Sequence, residues 1–205
     1  MSFKKFIFKS LRTLFRAELV NADKEPSGGV LVCSNHLSLV DPIVIVSSFK
    51  NPVCFMAKKE LFKIPLVGSI IKLFGAFPVD RGNVDLNAMK KAISLLEDGN
   101  MVGMFPQGTR YAGVKPRETD VKSGAGMIVV RAHIDVLPVA VITKNNKFGL
   151  FKKNYVVIGD VIKYESFNNP EKTREEFNRI SAEIFDKICD LHEKYSYLAE
   201  GNNGK

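Results

Sequence analysis

The sequence predicts a single α/β domain, a mixed and mostly parallel sheet with helices on both faces, preceded by an N-terminal amphipathic helix. Three observations lead there. The 205 residues suffice for one sizeable core, and 45% hydrophobic with 25% charged residues is an ordinary globular composition. Short apolar runs alternate with stretches of helical periodicity, the pattern of strands joined by helices. The most conspicuous polar clusters follow those runs directly, where open α/β sheets place their ligand sites.

The chain opens with MSFKKFIFKSLRTLFRAELV, which sets Phe3, Ile7, Leu11, Leu14 or Phe15, and Leu19 at helical spacing with Lys5, Lys9, Arg12 and Arg16 largely opposite. An aromatic-rich stripe against a basic face predicts a docking helix on a membrane surface, assigned to residues 1–24; a helix packed on the core is the competing reading. The turn-rich EPSGG at 25–29 then leads into the main domain, residues 25–200. Strands are expected at 30–34, 53–57, 76–79, 101–105, 136–142 and 154–159, with a helix over 85–97. Between the second and third, LFKIPLVGSIIKLFGAF is a further candidate for membrane contact or for a buried helix. Thr173 and Glu176 form a capping-box signature before a long closing helix carrying Phe177, Ile180, Ile184, Ile188, Leu191 and Tyr195 on one face. Residues 201–205 read as a disordered tail.

A formal charge of +8 predicts attraction to polyanions. No helix-turn-helix, RNA-binding signature or zinc finger accompanies it, so nucleic acid is not the expected partner. The basic residues spread through the first segment exclude a signal peptide, and no apolar run reaches the roughly 18 residues needed to cross a bilayer. Cys33, Cys54 and Cys189 show no CxxC or Cys/His spacing, which argues against a disulfide framework or a zinc site and for a reducing setting.

The chemistry concentrates in three clusters, NHLSLVD after the first strand, DRGN after the third and PQGTR after the fourth. If Asp41 bonds one imidazole nitrogen of His36, it fixes the tautomer and leaves the other to take a proton from a substrate hydroxyl. Asp41 followed by Pro42 also reads as a plain helix N-cap, and both roles are compatible. Ser38 lies too close to His36 in sequence to be its nucleophile, so direct attack by a substrate hydroxyl is expected over a covalent enzyme intermediate. Arg81 and Arg110 sit in glycine-containing loops suited to an anion, and Lys122 in KSGAG adds a third cation beside freed backbone amides. His133 is expected to end a helix and His192 to lie on the exposed side of the last one; neither has partners that call for a metal, and none is expected.

NHLSLVDP, GAFPVDRGN, FPQGTR and VLPVAV, in this order, resemble the four blocks of the glycerolipid acyltransferase family, in particular bacterial 1-acyl-glycerol-3-phosphate acyltransferases. The resemblance covers residues 35–141. It implies transfer of a fatty acyl group from acyl-CoA or acyl carrier protein to the hydroxyl of lysophosphatidic acid, giving phosphatidic acid without a cofactor. It makes His36 the base and Asp41 its orienter, with Arg81 a phosphate contact. Gln107, Gly108, Thr109 and Arg110 become part of the acceptor site, and Lys122 a softer substrate-binding match. The fourth block would pack or touch the acyl chain. The expected location is the cytoplasmic face of an anionic membrane, as a peripheral or monotopic protein. The departure is Gln107, where the family usually has glutamate; an amide still offers a carbonyl acceptor to a glycerol hydroxyl but no charge. Another acceptor, such as glycerol-3-phosphate, and a non-catalytic lipid-binding protein are the alternatives.

Overall fold

A computed structural model of the chain describes residues 3–65, 67–80, 85–149 and 152–200. Among them seven strands form one sheet: β1 (Ala17–Val20), β2 (Val30–Ser34), β3 (Val53–Lys58), β4 (Phe77–Val79), β5 (Met101–Met104), β6 (Val136–Thr143) and β7 (Asn154–Ile158). Their order is β1-β7-β6-β2-β5-β3-β4, and every pair is parallel except β6 with β7. The helices are α1 (Phe3–Leu14), α2 (Asp41–Ser48), α3 (Val67–Leu73), α4 (Leu86–Glu97), α5 (Gly124–Ala132), α6 (Arg174–Tyr195) and the short α7 (Tyr197–Glu200). The mixed, mostly parallel sheet is the one expected.

Both faces of the central strands are buried, which is why they read as unbroken apolar runs. In β2, Val30 and Val32 point to the side covered by α1 and α2, where Val44 and Ile45 meet them. Leu31 and Cys33 point the other way, into a cluster with Ala92 of α4, Ile128 of α5 and Ile180 of α6. Each such aliphatic side chain contributes about 1.5–3 kcal/mol by leaving water. The fourth block, VLPVAV, lies in the buried strand β6, whose side chains pack into the hydrophobic clusters on the faces of the sheet.

The first segment differs from its expected boundary at 24. Its helix ends at Leu14, Arg16 takes a left-handed φ of 44°, and Ala17–Val20 then pairs in parallel with Asn154–Val157 as an edge of the sheet. This strand, hydrogen-bonded to β7, is part of the main sheet. Ile7 and Leu11 of α1 rest against the core beside α2, so part of its apolar stripe faces the protein. No helix among the described residues is long and apolar enough to cross a membrane.

α6 is capped by Thr173, whose hydroxyl accepts the Glu176 N–H at 3.2 Å. The Glu176 carboxylate turns to Arg179, so only half of the capping box forms. His192 is not on the exposed side: it is 6% exposed, with Nε2 at 3.0 Å from Asn146 Oδ1. It lies four residues beyond the buried Ile188 and so continues the same face. Burial is the main cause holding its pKa below the ordinary value, with Lys115 acting the same way and Glu193 opposing. A depressed folded value means that this contribution to stability is full above about pH 6.5, the unfolded value, and is lost as pH falls through the folded one. The melting temperature should therefore drop below pH 6.5. His192→Gln should flatten that acid-side loss; calorimetry across pH 5–7.5 checks it, each kcal/mol corresponding to about 2–4 °C.

Candidate active site

β2, β5, β3 and β4 are mutually parallel neighbours, so the loops leaving their carboxyl ends emerge at one edge of the sheet. The NHLSLVD and PQGTR clusters meet there. Arg81 lies outside the described residues.

Asp41 opens α2, with Val40 at the N-cap position and Pro42 in the first turn. Its carboxylate does not cap that helix but turns back over the loop. Oδ2 accepts the N–H of Leu37 at 2.6 Å and of Ser38 at 2.7 Å, and meets Nδ1 of His36 at 2.8 Å; Oδ1 accepts the Ser38 hydroxyl at 2.9 Å. A carboxylate can only accept here, so Nδ1 carries the hydrogen and Nε2 is the basic nitrogen. Both residues are buried, His36 at 3% and Asp41 at 0% exposure. The five-residue spacing works because His36 is in the loop and Asp41 at the helix start.

The imidazole is also clamped through its ring. Phe105, just past β5, stacks on it with centroids 3.9 Å apart and planes 10° from parallel, and Phe55 of β3 stacks on Phe105 at 5.2 Å. Gly103 makes room for this column, since a Cβ there would lie 2.5 Å from the Phe55 ring. The glycine that weakens the MVGM strand in a propensity reading is thus required by packing.

The third block and the tyrosine that follows it hold the His36 backbone from both sides. Gln107 Oε1 accepts the His36 N–H at 2.6 Å, and the Tyr111 N–H donates to the His36 carbonyl at 2.9 Å. Gln107 is 1% exposed and its Nε2 donates to Thr119 Oγ1 at 2.7 Å. The resemblance implies a substrate hydroxyl at its carbonyl; in the structure that carbonyl accepts the His36 N–H, and burial and a second internal hydrogen bond tie the amide to the chain itself. Gly108 takes a φ of +68° and lies under the Lys122 side chain, whose Cδ would be 2.9 Å from a Cβ at that position. Thr109 and Arg110 are exposed and do not line the cavity beside the site.

That cavity, about 250 Å³, runs from Phe105, Pro106 and Gly108 past Lys122 to the start of α4. Met56, Met89, Met104 and Met127 line it, four of the six methionines in the chain. Unbranched, polarizable side chains of this kind form adaptable apolar walls. The scattering of methionines in sequence was the signal that could have pointed to it; Phe105 was readable only as the first letter of its block. Asp85 borders the cavity but caps α4, and hydrogen bonds from the Ala88 and Asp80 amides lower its pKa. Cys33, two residues before Asn35, is fully buried and burial pushes its thiol pKa far up, so it is no nucleophile. Among the described residues no cluster of His, Cys, Asp and Glu suits a metal ion.

A family model described as Acyltransferase matches residues 16–142, which contain the whole of this site. The 1-acyl-sn-glycerol-3-phosphate acyltransferase of Bacillus subtilis is 34% identical over 174 residues, 80% of this chain and 85% of that one. The enzyme of the same name from Streptococcus pneumoniae is 36% identical over 124 residues, of which this chain spans 44% of the length. The crystal structure of a 1-acyl-sn-glycerophosphate acyltransferase from Thermotoga maritima superposes with a TM-score of 0.66 at 23% identity, covering 94% of this chain and 81% of that one, and supports the same fold. With a histidine–aspartate pair at the strand ends and a matching model over more than half its length, the chain belongs to the acyltransferase family and is an enzyme.

Proposed function

We propose that this enzyme transfers an acyl group from an acyl thioester to the sn-2 hydroxyl of 1-acyl-glycerol-3-phosphate, forming phosphatidic acid. The observation that carries the reading is the His36–Asp41 pair, joined at 2.8 Å beside a methionine-lined cavity. Nε2 of His36 takes the hydroxyl proton as the acceptor oxygen attacks the thioester carbonyl. The tetrahedral intermediate expels the thiolate, and the imidazolium returns the proton to sulfur, so ester and thiol are the only products. Asp41 stabilises the imidazolium in between. The cavity takes apolar acyl chain, and Lys122 at its border offers a cation to the acceptor phosphate; the family resemblance gives Arg81 the same part.

The test is thiol release that depends on lysophosphatidic acid, run with acyl-CoA and with acyl carrier protein as donors and against glycerol-3-phosphate and other lysophospholipids as acceptors. Release with the first acceptor at the highest kcat/KM is expected. Equal or better use of another acceptor overturns the assignment of substrate. Gln107→Glu should leave the rate within about tenfold, or ~1.4 kcal/mol, because the carboxylate still accepts the His36 N–H and the Thr119 hydroxyl can rotate to it.

The site edge is also the proposed membrane face. Leu39 in the catalytic loop is 60% exposed, and Ile64, Val67, Ile70 and Leu73 beyond β3 are exposed as well, with Lys59, Lys63 and Lys72 among them. Apolar side chains interspersed with cations suit an anionic bilayer surface, from which the lipid substrate is drawn. Serine at Ile64, Val67, Ile70 and Leu73 together should cut association with anionic liposomes more than tenfold while the far-ultraviolet dichroism stays unchanged. Undiminished flotation would move the docking role to α1, tested by deleting residues 1–14.

A further inference from the structure

Gln107 does not end the chain of hydrogen bonds that begins at His36. Its Nε2 donates to Thr119 Oγ1 at 2.7 Å, and that hydroxyl in turn donates to the Pro116 carbonyl at 2.7 Å. The direction of every link is fixed by the first. The His36 N–H can only donate, so the atom facing it is Oε1, the atom facing Thr119 is the NH₂, and the threonine hydrogen is left for Pro116. Each link pairs one donor with one acceptor, no charge is buried along the row, and the amide is held in one orientation. The 116–118 turn at the far end is itself fastened to α6, where Arg117 meets Asp190 at 2.7 Å and Glu193 at 2.6 Å.

We infer that Thr119 is a positioning residue for the acyl transfer: through Gln107 it sets the peptide of His36, and so where the imidazole presents Nε2 to the acceptor hydroxyl. This rests on the acyltransfer reading given above. Thr119 is half-buried in a loop 83 positions beyond His36 and is not among the residues lining the methionine-lined cavity. Its influence therefore runs along the hydrogen-bond row. Losing the hydroxyl leaves the Gln107 NH₂ without its acceptor in a buried place, and the amide gains a reason to rotate or withdraw.

The experiment compares the parent with Thr119→Val, which keeps the branched shape, and Thr119→Ser, which keeps the hydroxyl. Thr119→Val should lower kcat about tenfold with the KM for lysophosphatidic acid within about twofold, and Thr119→Ser should restore kcat to within about twofold. Hydrogen exchange of the His36 amide should quicken in Thr119→Val and return in Thr119→Ser. An unchanged kcat in Thr119→Val, a KM that rises with it, or failure of serine to rescue overturns the role. The exchange measurement separates the two readings. If the parent transfers no acyl group the functional reading fails, while His36 protection that depends on the Thr119 hydroxyl still supports the positioning row, and protection indifferent to it overturns the row by itself. Should Thr119→Val not fold, Thr119→Ala carries the same comparison.

Discussion

His36→Ala lowers lysophosphatidic acid-dependent thiol release by roughly two to four orders of magnitude, the span of a general base in such reactions. The side chain is 3% exposed, stacked on Phe105 and bonded to Asp41, so its removal also opens space in a tightly filled place. His36→Gln is the companion variant, since it fills much of that space without supplying a base. Both should show the same loss, with KM for the acceptor little changed. Purified His36→Ala that retains the full parental rate would show that another group takes the hydroxyl proton.

Asp41 gives the second large effect, and its two variants should differ in kind. Asp41→Ala strips the acceptor from the Leu37 and Ser38 amides and from Nδ1 of His36. A buried N–H without a partner costs about 1–3 kcal/mol, so this variant should lose about 2–4 kcal/mol of stability in urea unfolding as well as most of its activity. Asp41→Asn is gentler on the fold. Three of the donors converge on Oδ2, where an amide oxygen can serve, and its NH₂ then faces the Ser38 hydroxyl, which can turn to accept. What it loses is the charge opposite the imidazolium, worth about 1.5–3 kcal/mol, or roughly 10–100-fold in kcat. Equal activity in Asp41→Asn and the parent would leave Asp41 as a loop-building residue alone.

The sequence admits two roles for Asp41, cap and orienter, and the geometry shows the carboxylate bonded to the His36 loop. The residue begins α2, yet its oxygens are spent on the preceding loop. Local patterning cannot choose between these, because the same Asp-Pro pair fits both. The partners of Gln107 are hidden from the sequence for a related reason. Its motif pointed outward to substrate, while its bond to His36 spans 71 residues and exists only because β2 and β5 are neighbours. β1 went unread as a strand because AELV continues a helical stripe through Leu19. The left-handed turn at Arg16 and the pairing with β7 are visible only when distant parts of the chain meet.

What the amino-acid sequence by itself determined is the α/β class, the central strands, the helix over 85–97 and the His36–Asp41 pair. These depend on local apolar runs, caps and short spacings, which operate within a few residues. The tertiary structure alone decided that Gln107 holds the His36 peptide, that Thr119 holds Gln107, that His192 is buried and that four separated methionines share one cavity. Each of those depends on which strands lie side by side, and that is settled by burying apolar surface over the whole chain.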